Sequence, residues 1–150
     1  MSTRSRRTPR APRTGTVPAV PSPGNAHDGV SEFFGFRYEA PGVIRVTIRP
    51  ELMNRAGLLS GAVAYAMVDY AMGSALWAER NEGEGIATLS ISVNYLQTAR
   101  EGDIICRAEL DRRNRRVGML HAAVEAEDGR LLLTAIGSYS IYPRERLAPA

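Results

Sequence analysis

The chain has 150 residues, 44% of them hydrophobic and 23% charged, a composition that allows one globular domain with a real core and leaves little room for two. Its formal charge of +3 is unevenly carried: five of the 19 basic residues precede residue 28, where no acid occurs, so the remainder sets 14 arginines against 16 acids. The main body is therefore slightly acidic, and the overall basicity says little about its partners; the single cysteine, Cys106, excludes an intramolecular disulfide and any cysteine-only metal site.

Residues 1–27 combine arginine, proline, glycine, serine and threonine with almost no large apolar side chain. Such a segment buries too little surface to offset its ordering entropy and reads as a disordered, passive tail. The alternative, an arm touching nucleic acid or anionic lipid, lacks interleaved aromatics or a defined motif. No apolar stretch near the start resembles a cleavable signal, so a cytoplasmic location is expected.

From residue 33 the pattern becomes regular. Residues 34–38 and 43–48 are β-rich runs around Ala40-Pro41-Gly42 and predict a hairpin. The next segment, Asn54-Arg55-Ala56-Gly57-Leu58-Leu59-Ser60-Gly61-Ala62, reads as the approach to a helix. Gly57 permits a sharp turn, and Gly61 leaves its backbone N–H unshielded at the positive end of the helix dipole. An amide there suits a carbonyl oxygen that becomes anionic, although a glycine chosen for close packing explains it equally well.

Residues 58–78 are apolar nearly all round and rich in small side chains, with Ser60, Asp69, Ser74 and two tyrosine hydroxyls as the polar interruptions. Such a helix is either wrapped by protein or crosses a membrane. A central aspartate opposes insertion by about 2.5–3.5 kcal/mol, so a buried helix and no membrane span are expected. Asp69 has no cation at helical spacing, and an ionised carboxylate buried alone is costly. It must face a wet cavity, meet a group from elsewhere or be partly protonated; a structural aspartate bonded to nearby hydroxyls is the plainer possibility.

Four further segments, residues 86–96, 104–110, 119–127 and 131–142, carry period-two patterning that suits an antiparallel sheet with one face on a core. In the first, Ala87, Leu89, Ile91, Val93 and Tyr95 alternate against Thr88, Ser90, Ser92 and Asn94. Cys106 falls on an apolar face, where a thiol acts as a small hydrophobe. His121 falls on a polar face without an evident catalytic partner, and His27 lies in the tail. The order β-β-α-β-β-β-β around one long helix predicts an α+β hotdog domain over residues 28–143, with 144–150 as a C-terminal tail.

Gly61 and Asp69 are eight residues apart, about 12 Å along a helix. A carboxylate activating water and an amide holding an oxyanion must both approach one carbonyl carbon. One straight helix cannot bring them there, so joint action requires antiparallel helices from two copies and predicts a homodimer.

These residues resemble the phenylacetate-type (PaaI-like) hotdog thioesterases, whose pattern is Asn-x-x-Gly-x-x-His-Gly-Gly, four residues, an aliphatic, any residue, Asp, any residue, Ala. Here Asn54, Gly57, Ser60, Gly61, Ala62, Met67, Asp69 and Ala71 take those places, and Thr88 to Leu96 followed by Gly102-Asp103 matches the next strand and turn. The resemblance implies hydrolysis of acyl-CoA to free acid and CoA, with Asp69 as general base or nucleophile. It further implies that the Gly61 N–H binds the thioester oxygen in the opposite subunit, Asn54 orients water or substrate, and Thr88 helps hold the attacking water. Ser60 and Ala62 would lie on the substrate's side. Ser60 replaces the usual histidine and Ala62 the second glycine; serine donates a hydrogen bond but carries no charge. Members use no metal or redox cofactor, join their sheets edge to edge as dimers and often pair these into tetramers.

The run Arg112-Arg113-Asn114-Arg115-Arg116 is expected in a turn, either solvated or clamping the CoA phosphates through Arg113, Arg115 and Arg116, with Arg100 joining. Two rivals stand beside the enzyme: an acyl-CoA-binding protein without turnover, favoured by Ser60, and a nucleic-acid-associated protein acting through the tail. A hydratase would need a catalytic histidine that this helix start lacks.

Overall fold

The computed structural model describes residues 28–147, so the tail expectation for residues 1–27, including His27, lies outside the described residues. The apolar–polar alternation builds six antiparallel strands: β1 (Arg37–Ala40), β2 (Val43–Thr47), β3 (Glu84–Tyr95), β4 (Asp103–Arg113), β5 (Val117–Ala126) and β6 (Leu131–Pro143). They form one sheet in the order β1-β2-β4-β5-β6-β3, which packs on the long helix α2 (Gly61–Ala78); a short helix, α1 (Gly29–Phe34), precedes β1. This is the expected α+β hotdog architecture. A 3₁₀ turn at Arg144–Leu147 follows β6, so residues 144–147 of the anticipated tail are structured.

The core lies between α2 and the concave sheet face, where Met67, Val68, Met72 and Leu76 meet Ile44, Ile104, Leu120 and Leu133. Two glycines let the helix sit close. A Cβ on Gly118 would come within 2.8 Å of Leu76 Cδ1, and one on Gly137 within 2.6 Å of Met72 Sδ. Ser74, a polar interruption of α2, is buried with its Oγ accepting the Gly42 N–H at 3.1 Å. Cys106 is fully buried, and desolvation pushes its thiol up to about 12. Among the described residues, no helix is long and apolar enough to cross a membrane.

Several expectations need correction. Residue 34, expected to open the first strand, ends a helix instead, and β1 begins only at Arg37. Asp28 Oδ1 accepts the Val30 and Ser31 N–H groups (3.0 and 2.9 Å), and Gly35, at φ 71°, closes the far end. Cap chemistry outweighs the β preference of phenylalanine here. The long helix starts at Gly61, not residue 58, because Leu59 bridges Met53 and the Ser60 N–H donates to Leu52 O at 2.9 Å. Arg112 and Arg113 belong to β4; the turn proper is residues 114–116, closed by Asn114 Oδ1 accepting the Arg116 and Val117 N–H groups.

The register of β3 also differs from simple alternation. Its pairing with β6 slips between Thr88 and Ser90, leaving Leu89 as the extra residue of a bulge. Thr88 opposite Tyr139, and Ile91 opposite Gly137, consequently both face α2. Uninterrupted alternation would have put Thr88 on the outer face.

Finally, α2 is not wrapped on all sides within one copy. Ala62 and Tyr65 are exposed, and Ala66, Asp69 and Gly73 are half-buried. These positions form one stripe along the helix.

Candidate active site

Asp69 sits midway along α2, half-buried on the open stripe. Its Oδ1 accepts two hydroxyl protons, from Thr88 Oγ1 at 2.7 Å and from Tyr139 Oη at 2.8 Å. The same tyrosine oxygen lies 2.9 Å from the Asp69 backbone carbonyl. Both donors project from the concave face as a directly opposed pair on β3 and β6, and the Leu89 bulge is what turns Thr88 inward. Among the described residues, Oδ2 has no hydrogen-bond partner and no cation pairs with the carboxylate.

Asp69 thus combines two of the possibilities its sequence left open: nearby hydroxyls hold one oxygen, while the other remains available to an incoming molecule. Tyr139 is only 2% exposed. Burial first, and then the Asp69 charge and hydrogen bond, hold its phenol far above the usual range. Sequence reasoning missed this tyrosine. Its alternating strand made it one more core aromatic, and the register that pairs it with Thr88 depends on the unread bulge.

At the start of α2, the Gly61 and Ala62 N–H groups have no acceptor among the described residues, and Ser60 makes no side-chain cap bond. Tyr95 donates its hydroxyl to Gly61 O at 2.8 Å. Its ring lies so near that a Cβ on Gly61 would stand 3.2 Å from Tyr95 Cζ. Glycine here therefore accommodates a neighbouring ring as well as leaving the amide bare. Ser60 is half-buried and Ala62 exposed. Asn54 is exposed, with Oδ1 accepting the Ala56 N–H at 2.9 Å and the Leu58 N–H at 3.3 Å. Its carbonyl oxygen shapes the turn before the helix, leaving its amide nitrogen as the group able to meet water or substrate.

The arginines do not form one cluster. Arg113 pairs with Glu84 at 3.0 Å and also donates to Glu79 O at the C-terminal end of α2. Arg115 and Arg116 are exposed and, with Glu84, Ser140 and Tyr142, line an open depression of about 470 Å³. Arg100 instead lies beside Gly57, before the helix start. The 18-residue helix separates these ends by about 27 Å, so Arg100 does not join Arg115 and Arg116 within one copy. His121 has a partner after all, Asp111 Oδ1 at 2.6 Å from Nδ1, but is paired across from Ile136 on the convex face, away from Asp69. Among the described residues, no group of three His, Cys, Asp or Glu side chains could hold a metal ion.

The sequence matches the family model of the thioesterase superfamily over residues 56–133, just over half of the chain, and the protein belongs to that superfamily. Its shared chemistry is hydrolysis at thioester bonds. Among solved structures, a thioesterase from Haemophilus influenzae is similar with a TM-score of 0.76 at 19% identity, covering 80% of this chain and 87% of that one. A Bacillus halodurans protein crystallised with CoA gives 0.74 at 14% identity, covering 78% of each chain. A putative thioesterase from Ralstonia eutropha, a phenylacetic acid degradation-related protein, gives 0.68 at 25% identity, covering 78% of this chain and 93% of that one. The resemblance read from the sequence is thereby borne out. Among curated proteins, none matches.

Proposed function

We propose that this protein hydrolyses acyl-CoA thioesters as a homodimer, with Asp69 of one copy and the Gly61 amide of the other acting on one carbonyl. The observation that carries the reading is the state of Asp69: one oxygen is held by two hydroxyls, and among the described residues the other has no partner and no cation neutralises it. Water attacks the thioester carbon and gives its proton to Asp69, while the Gly61 N–H holds the resulting oxyanion. Collapse expels the CoA sulfur, which takes up a proton, leaving acid and CoA. Direct attack by Asp69, with later hydrolysis of the anhydride, is the other route open to this geometry. Asn54 and Thr88 orient the water or substrate.

The bare stripe on α2 and the free edge of β3, with Leu89 and Tyr95 exposed, support pairing with a second copy. The CoA bound by the Bacillus halodurans relative supports the choice of thiol carrier. Arg115 and Arg116 suit its phosphates, because guanidinium groups make bidentate contacts to such oxygens. Arg100 offers a separate contact near the helix start. Ser60, where histidine is usual, favours one second reading, a protein that binds acyl-CoA without turning it over.

Release of free thiol from short, medium, long and aromatic acyl-CoAs tests the proposal. Turnover of at least one class is expected, falling about 10²–10⁴-fold in Asp69→Asn. Tight binding with no turnover of any class would select the second reading.

A further inference from the structure

We infer that Tyr139 is a positioning residue for Asp69, which aims the carboxylate so that Oδ2 faces the substrate. The inference rests on the assignment of Asp69 as the reacting carboxylate, and adds a residue that its family pattern does not contain.

The argument begins with rotational freedom. An aspartate on an exposed helix stripe can swing among staggered rotamers and exchange its two oxygens. Here Oδ1 is fixed from two strands at once, by Thr88 from β3 and Tyr139 from β6. These two donors differ in kind. Thr88 is exposed on an edge strand, whereas Tyr139 is 2% exposed and anchored between β5 and β3. Its hydroxyl lies within hydrogen-bond reach of both the Asp69 side chain and its backbone carbonyl. One rigid phenol therefore references the carboxylate to the helix that carries it.

The two donors also differ in permanence. Burial and the neighbouring carboxylate hold the Tyr139 phenol far above its usual range, so it keeps the proton that it donates to Oδ1.

Tyr139→Phe keeps the ring and removes the donor. On a good acyl-CoA, kcat is expected to fall about tenfold with KM changing less than about twofold. In protein carrying ¹³C-labelled aspartate carboxyls, the signal lost in Asp69→Asn identifies this residue. Its chemical shift should move in Tyr139→Phe, with no substrate needed. Should the variant fail to fold, 3-fluorotyrosine at position 139 keeps the shape and strengthens the donor, and the Asp69 signal must then move while KM stays within about twofold.

A folded Tyr139→Phe variant with unchanged kcat and an unmoved Asp69 signal overturns the inference, as does a lowered Tm without either change. Full turnover by Asp69→Asn overturns the catalytic reading instead. A moved Asp69 signal in a protein that hydrolyses no thioester leaves the positioning role standing and removes the enzymatic one.

Discussion

Asp103 shows how one carboxylate fastens three strands. Thr47 Oγ1 donates to its Oδ1 at 2.6 Å, Arg37 reaches its Oδ2 at 2.8 Å, and Arg45 stands 3.6 Å away. The Thr47 bond first, and then the two guanidinium groups, hold this carboxyl below the usual aspartate range. A carboxyl whose folded value is depressed contributes stability in full above its unfolded pKa, about 3.9, and loses it as pH falls through the folded value. Urea unfolding from pH 6 to pH 2.5 should show this loss at the acid end, and Asp103→Asn should flatten that part of the curve. The sequence indicated Asp103 only as half of a turn motif, since its partners are contributed by strands more than fifty residues earlier in the chain. Asp69 was more legible. A carboxylate without a cation inside an apolar helix is conspicuous in any reading, whereas the buried phenol that holds it looks like ordinary core until the register is known.

Among the elements, β4, β5 and β6 followed directly from apolar periodicity, because each has one face on a single core, whereas most of α2 followed from an apolar run too long for a strand. What periodicity missed were local hydrogen-bond devices. The Asp28 cap and Gly35 stop make a helix of residues that favour strand, although an aspartate before the segment and a glycine after it were visible signals. The Leu89 bulge left no comparable mark. It inverts the faces of β3 on one side only, so Thr88 reaches the site from what looked like the polar face.

The turn between β1 and β2 was well marked by its proline and glycine, and the structure shows why glycine is required there. Gly42 has φ 78°, and a Cβ would stand 2.4 Å from the Ala108 carbonyl oxygen, a backbone atom with little freedom to yield. Its N–H also ties the turn to Ser74 on α2. Gly42→Ala should cost at least about 1–3 kcal/mol in chemical denaturation. The loss should appear as a lower midpoint with an unchanged slope.

At the scale of the whole molecule, the proposed site is composite, and mixing inactive variants tests that. Gly61→Pro removes the proposed oxyanion donor at a first helical position, where proline is well tolerated, although its ring must displace the Tyr95 side chain slightly. Asp69→Asn removes the carboxylate. Each variant alone should be nearly inactive. Unfolded and refolded together in equal amounts, they form dimers of which about half are mixed, each with one complete site of two, so about a quarter of the wild-type rate should return. A mixture as inactive as its components, with mixed dimers verified, would mean that both groups do not act across two copies.

The sheet order has a consequence for the making of the protein. β6 is synthesised after the other five strands but lies between β5 and β3. Until it emerges, β3 has no hydrogen-bonded neighbour on either side, and Ile91, Val93 and Tyr95 lack their covering partner. The 48 residues from Tyr95 to Pro143 take roughly 2–10 s to translate. During that interval the nascent chain carries an unpaired apolar strand, a ready target for chaperones and for other half-made copies. Once residue 143 has left the ribosome, the sheet and the tyrosine behind the carboxylate are completed at nearly the same moment, and β3 is left with one open edge.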